Sequence, residues 1–232
     1  MQNPADHPQR LIVLSTGAYK AALDEILVLF TRETGCETEA VYDSATAVGL
    51  RIEAGEPFGI AISTAGIMAA LSAKNFFSGA NHQAGSNEVC IAFQKNSPPP
   101  AISTPEKLRA TLLAAASISL SDPKHGGGSS KYFVDLLESL GLTAAISPKL
   151  VITAGGQGAV PVAAGRAAFG IAQTSEIAML PGLSAAPFPA SRVDYELGIS
   201  SHHPHPASKG LAAFLAGPAG LAIRRKCGLE PQ

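Results

Sequence analysis

Apolar residues along this chain fall into two kinds of run that alternate. Leu11-Ile12-Val13-Leu14 is continuous and branched and stops at Ser15-Thr16-Gly17, as a strand buried on both faces does. From Ala18 onward, Ala22, Leu23, Ile26, Leu27, Leu29 and Phe30 recur at helical spacing until Gly35, so the strand feeds a loop and the loop an amphipathic helix. The unit then repeats. Glu39 to Tyr42 reads as a strand, Asp43-Ser44-Ala45-Thr46 as a polar turn and helix start, Ala47 to Ala54 as a helix closed by Gly55, and Gly59 to Ser63 as a third strand.

A second block begins with a strand at Glu88 to Phe93 and passes Pro98-Pro99-Pro100. A helix from Thr104 to Ala115 follows, with Thr104 as its cap and Pro105 at its first position. Ile118 to Leu120 is a strand, followed by a loop over Ser121 to Ser130 and a helix through Leu140 that ends at Gly141. Leu150 to Ile152 and Ala168 to Ala172 are further strands, and Ala207 to Leu215 and Pro218 to Cys227 are helices.

Strands alternating with helices at this spacing predict an α/β fold with largely parallel sheets flanked by helices and with ligands at the strand C-termini. Proline- and glycine-bearing crossings near residues 80–88 and 187–197 predict two lobes joined twice. Residues 10–83 with 195–232 form the first lobe, residues 88–187 the second, and residues 1–9 a flexible leader. The cleft between the lobes is the expected binding site.

Composition narrows the function. With 17 Lys+Arg against 18 Asp+Glu the net charge is −1, which does not supply the concentrated basic surface that nucleic acid requires. A hydrophobic share of 46% against 15% charged residues argues for a folded core, and no run of about 18 uncharged apolar residues is present to span a membrane. The segment Met1 to Arg10 lacks the basic start and apolar core of a secretory signal. A cytoplasmic location is therefore expected for the chain as written, and a periplasmic one if it is a mature form. Cys36, Cys90 and Cys227 share no metal-ligand spacing and read as small buried hydrophobes.

Three strand-to-helix junctions are rich in hydroxyls and glycines: Ser15-Thr16-Gly17, Asp43-Ser44-Ala45-Thr46, and Gly126-Gly127-Gly128-Ser129-Ser130-Lys131. Each alone reads equally as a capped turn. Together, free N–H groups at helix N-termini and hydroxyl donors make an anion site. Lys124, His125 and Lys131 flank the glycines and can place positive charge beside a carboxylate, although solvated surface lysines are the common alternative. The glycines match neither a P-loop nor a dinucleotide fingerprint, and no cofactor is expected. His202, His203 and His205 look like a metal tract, but Pro204 and Pro206 hold them extended and exposed, so no metal is expected there. Gln173-Thr174-Ser175-Glu176 follows an apolar strand where ligand contacts belong, and a helix cap explains it almost as well.

In order and spacing these segments resemble the solute-binding proteins of type II periplasmic-binding fold, and among them the molybdate-binding branch. The likeness runs over Leu11 to Leu27, Thr31 to Gly35, Arg51 to Pro57 leading into Ile60 to Ser63, Ser121 to Phe133, Leu136 to Leu142, Gly165 to Ile171, and Ala213 to Ala219 with Gly228-Leu229. It implies a two-lobed α/β protein, expected to be a monomer, that holds a small anion and serves an ABC transporter. The family's first-loop serine falls on Ala18, just after Ser15, Thr16 and Gly17. Its second serine falls on Ser44 or Ala45, beside Thr46, and its tyrosine on Gln173. With two of three side-chain donors replaced, the resemblance implies an organic carboxylate or another oxyanion, bound also through Gly127, Gly128, Ser129 and Ser130, rather than selectivity for molybdate. A second resemblance, to the aconitate isomerase neighbourhood of this fold, rests on Ser15-Thr16-Gly17, on Gly126 to Phe133 and on Gln173 to Glu176. It implies an alternative: an isomerase that shifts a double bond in a tricarboxylate, with Glu176, His125 or Lys131 as base.

Overall fold

The computed structural model describes residues 10–124, 128–154 and 156–230. They divide into two compact units. One comprises the described residues of Met1–Gly85, Asp194–Lys226 and Glu230–Gln232, the other Ser86–Val193 and Cys227–Leu229.

In the first unit β1 (Leu11–Thr16), β2 (Thr38–Asp43) and β3 (Ile60–Thr64) alternate with α1 (Lys20–Thr34), α2 (Ala45–Glu53) and α3 (Ala65–Ser72). β1 pairs in parallel with β2 on one side and β3 on the other. The last residues of β8 (Leu183–Ile199) run antiparallel to β3, Tyr195 facing Thr64 and Ile199 facing Ile60. Leu14 and Ala61 pack with Val48, Ile52, Met68 and Leu71 from α2 and α3. Leu11, Val13, Leu23 and Ile26 are likewise fully buried, as a sheet covered by helices requires. α9 (Ser208–Ala216) and α10 (Pro218–Lys226) complete this unit.

In the second unit the order is β4, β7, β5, β6. β5 (Ile118–Ser121), β6 (Leu150–Thr153) and β7 (Phe169–Gln173) are parallel, and β4 (His82–Gln94) meets β7 antiparallel over Val89 to Ala92. α4 (Pro105–Ala114), α5 (Gly128–Ser139), α6 (Thr143–Ile146), α7 (Val160–Ala163) and α8 (Thr174–Ala178) connect the strands. Phe133 and Leu137 of α5 and Leu108 and Leu112 of α4 bury against Val89, Ile91, Ile118, Leu120 and Ile171. At roughly 1.5–3 kcal/mol for each large apolar side chain fully removed from water, this cluster is the unit's main source of stability.

The α/β architecture expected from the sequence is present. Two segments differ from the reading. The stretch read as a crossing near residues 187–197 is part of the 17-residue strand β8, and β4 begins at His82, inside the other crossing. Pro187 and Pro189 point outward on either side of buried Phe188, a period-two pattern that a strand tolerates where the missing N–H groups are not needed by a neighbour. Cys36 is part-exposed, whereas Cys90 and Cys227 are buried, and burial pushes the Cys90 thiol up to about 11. Among the described residues no helix is long and apolar enough to cross a membrane.

Candidate functional site

Register alone gathers the hydroxyls of the first unit. Thr16 ends β1 opposite Asp43 of β2, and Ser15 faces Ile62 of β3, so the three C-terminal strand ends form one polar edge. Ser15 and Thr16 are buried. Ser15 Oγ makes a long bond to the Thr16 carbonyl at 3.3 Å. Thr16 Oγ1 and the Oγ of Ser63 are buried with no hydrogen-bond partner among the described residues. Ser63 follows Ile62 as Thr16 follows Ser15, which puts both on the same face of adjacent strands. A buried hydroxyl left unbonded costs roughly 1–3 kcal/mol, so a pair of them marks a place where a further acceptor belongs.

Gly17 opens a 3-10 turn over Gly17–Tyr19, is exposed and has open space above its Cα. Behind the turn Tyr19 is fully buried and donates to the Ala84 carbonyl at 2.7 Å. Burial pushes its phenol up, and the nearby Arg224 guanidinium, buried in α10, pulls it the other way. Ser44 is the N-cap of α2, its Oγ accepting Ala47 N–H at 3.2 Å. Thr46 lies exposed in the same first turn, which carries no acidic residue. Just before this cap the Asp43 carboxylate accepts the Ser44 N–H on Oδ1 at 2.8 Å, so a side-chain anion already lies near the positive end of the α2 dipole. Asp43 is the carboxylate on this edge, with Arg51 Nη1 at 3.5 Å.

The second unit repeats the arrangement with different residues. β5, β6 and β7 end at Ser121, Thr153 and Gln173, with Ser121 directly beside Thr153. Ser129 and Ser130 sit buried in the first turn of α5, which holds no acid, and Gly128 is exposed at its start. Ser130 Oγ has no partner among the described residues. His125 and Gly127 lie outside the described residues. Lys131 is exposed and paired with Asp135 at 2.6 Å one turn along the helix. The loop after β6 is pressed onto the sheet at Gly158, whose carbonyl accepts from Ser119 Oγ at 2.6 Å. A Cβ at Gly158 would lie 2.1 Å from the Ile171 carbonyl oxygen.

Gln173 is buried at the end of β7. Glu176, three residues on, accepts the Gln173 backbone N–H on Oε2 at 2.9 Å, the carboxylate half of a capping box. Burial raises the Glu176 carboxyl and the Gln173 N–H lowers it. Asn87, which enters from β4, donates from Nδ2 to Ser175 Oγ at 3.0 Å and to Gln173 Oε1 at 3.4 Å.

Asn87, Ser121 and Ser63 were not among the candidate site residues read from the sequence, whereas Ser175 lies within the Gln173 to Glu176 segment that was. Pairing of β4 with β7 brings Asn87 to Gln173, 86 positions away, and no local pattern encodes that. Ser63 and Ser121 were legible as strand-terminal hydroxyls equivalent to Thr16. The histidine tract lies at the other edge of the first unit. His203 and His205 line a depression of about 520 Å³ with Arg10, Ile12 and Phe58, near the N-terminal end of β1. His205 Nδ1 accepts Ala207 N–H at 3.1 Å, and His202 stands edge-on to Phe76 with centroids 5.5 Å apart. Among the described residues no group of three or more His, Cys, Asp or Glu is placed to hold a metal.

Residues 11–230 match the family described as bacterial extracellular solute-binding protein. The chain belongs to that family. Solved structures extend the likeness over nearly the whole chain. The periplasmic molybdate-binding protein of Azotobacter vinelandii superposes with a TM-score of 0.77 at 20% identity, covering 96% of this chain and 100% of that one. The sulfate-binding protein of Mycobacterium tuberculosis gives 0.71 at 12% identity, over 96% of this chain and 86% of that one. The tungstate ABC transporter structure from Geobacter sulfurreducens gives 0.63 at 20% identity, over 93% and 97%. At these identities the likeness carries the fold, which is the type II periplasmic-binding fold. Comparison with curated protein sequences gives no match.

Proposed function

We propose that this solute-binding protein holds a small anion, an oxyanion or organic carboxylate, through buried hydroxyls at strand-to-helix junctions, and delivers it outside the cytoplasm to the membrane component of an ABC transporter. The observation that carries this reading is the pair Thr16 Oγ1 and Ser130 Oγ. Each is buried and without a partner among the described residues; Thr16 ends β1, and Ser130 lies in the first turn of α5. Hydroxyl donors beside helix N-termini free of acids suit an acceptor-rich, negatively charged solute. The molybdate, tungstate and sulfate proteins of the same fold support the anion class. Replacement of the family's tyrosine by Gln173 argues against a site shaped for molybdate alone.

Thermal denaturation with molybdate, tungstate, sulfate and cis- or trans-aconitate tests the proposal. A ligand that binds only the folded state raises the transition by about 2.7 kcal/mol of stabilisation at a hundredfold excess over Kd. A shift with at least one of these anions, and no change in ultraviolet absorbance of the aconitates, is expected. No shift with any of them overturns the anion reading, and absorbance change makes the protein an isomerase.

A further inference from the structure

We propose that Arg224 is the counter-charge of the bound anion, a buried guanidinium that acts through the Gly17–Tyr19 turn without touching the ligand. This deepens the anion-binding reading above and rests on it. Arg224 is 6% exposed in α10, and its Nε has no hydrogen-bond partner among the described residues. No carboxylate among those residues forms an ion pair with it, whereas exposed Lys226, two positions on, reaches Glu25 at 2.8 Å. A guanidinium taken out of water without a carboxylate is a cost to the folded state. It marks a place where a negative charge is missing.

Its surroundings show what the charge serves. Arg224 Nη1 is 3.2 Å from the point a Gly85 Cβ would occupy, so the bare glycine at φ +107° is what lets it come this close. Ala84, next in the chain, accepts the Tyr19 hydroxyl at 2.7 Å. The guanidinium pulls the Tyr19 phenol down against the upward push of burial, so its field reaches the residue that closes the turn. Tyr19 is fully buried and edge-on to Tyr195, with centroids 6.0 Å apart. Between the charge and the turn there is therefore ring and no solvent, and a buried charge is screened little. At the far end of the same turn stand Gly17 and the unpartnered Thr16 hydroxyl. Asp43, the register partner of Thr16, puts a negative charge on that edge. Hydroxyls donate hydrogen bonds but carry no net charge, so the charge that answers both Asp43 and an anion comes from behind the turn.

Isothermal titration of the full chain with sulfate, molybdate, tungstate and the aconitates, with thermal denaturation of the same ligand-free samples, tests this. Arg224→Met fills the space of the stem and removes the charge. Its melting temperature is expected to hold or rise. Its affinity for the anion that the wild type binds should fall about tenfold or more, the scale of a unit charge acting on a multiply charged anion at an effective dielectric constant of about 20. Arg224→Gln carries the same expectation for affinity and decides the matter if Arg224→Met does not fold. Arg224→Lys keeps the charge and should keep most of the affinity. Arg225→Met removes the neighbouring charge, which is exposed, and should change affinity by less than about twofold because solvent screens it. Tyr19→Phe strands the Ala84 carbonyl and leaves the charge, so it should lower the melting temperature and spare the affinity. Wild-type affinity in the neutral Arg224 variants overturns the proposal. So does an Arg224→Lys as weak as they are, or an equal loss in Arg225→Met. A wild type that binds none of these anions overturns the anion reading itself, and this proposal with it.

Discussion

The Glu176 carboxylate accepts the backbone N–H of Gln173 at 2.9 Å, which ties the residue read as a candidate base to the start of α8. Its carboxyl is nevertheless raised by burial, so the folded state favours the proton more than the unfolded chain does. Stability from this group is therefore full below the ordinary carboxylate range and is lost as pH rises through the raised folded value. Glu176→Gln keeps an acceptor for the cap and has nothing to ionise. The melting temperatures of wild type and variant should coincide in acid, and the variant should gain on the wild type as pH rises above the ordinary carboxylate range. A gap that does not widen with pH would show that the Gln173 N–H outweighs the burial.

Thr16→Val and Ser130→Ala each remove a buried hydroxyl that lacks a partner among the described residues. Deleting such a group relieves a desolvation cost, so ligand-free stability should hold or rise. Affinity for the bound anion should fall by about 10- to 100-fold, because a hydrogen bond to a charged acceptor is lost. Denaturation and titration on the same samples check both halves. Opposite movement of stability and affinity is what a binding group gives and a packing group does not.

How much of this was legible in sequence depends on how local the signal is. The β1, α1, β2, α2 and β3 succession follows from runs such as Leu11 to Leu14 and from the polar helix start at Asp43 to Thr46, both of which act within a few residues. Ser15, Thr16, Ser129 and Ser130 are candidates from the sequence because each stands in a hydroxyl- and glycine-rich segment between a strand and the helix that follows, a local signal. Asn87 is not, since its contact with Gln173 exists only through pairing of β4 with β7. β8 was hidden by Pro187 and Pro189, which signal a break unless the buried Phe188 between them is recognised as the inward position of a strand.

Two N-caps make a matched pair for stability. Ser44 Oγ accepts Ala47 N–H at 3.2 Å and Thr104 Oγ1 accepts Lys107 N–H at 3.3 Å. Ser44→Ala and Thr104→Ala should each cost about 1 kcal/mol, and the glycine variants only a few tenths. Chemical denaturation of the four variants checks this. If Ser44 also contacts ligand, Ser44→Gly will weaken anion binding out of proportion to its small effect on stability, whereas Thr104→Gly, at an exposed cap outside the candidate residues, will not.

Gly158 has no such latitude. Its backbone crosses β7 so closely that a Cβ would stand 2.1 Å from the Ile171 carbonyl oxygen and 3.5 Å from the Leu120 Cα. Both neighbours are backbone in paired strands and cannot move aside as a flexible side chain would. Gly158→Ala must therefore lift the loop after β6 off the sheet. That movement also breaks the 2.6 Å bond from Ser119 Oγ to the Gly158 carbonyl and leaves this buried hydroxyl only its longer bond to the Phe169 carbonyl at 3.2 Å. Overpacking of this kind costs about 1–3 kcal/mol, and the lost hydrogen bond adds about 0.5–1.5 kcal/mol. Ser119→Ala separates the two contributions, since it removes the bond without the clash. Gly158→Ala should be the more destabilising by thermal denaturation, and a variant as stable as Ser119→Ala would mean that the loop yields without strain.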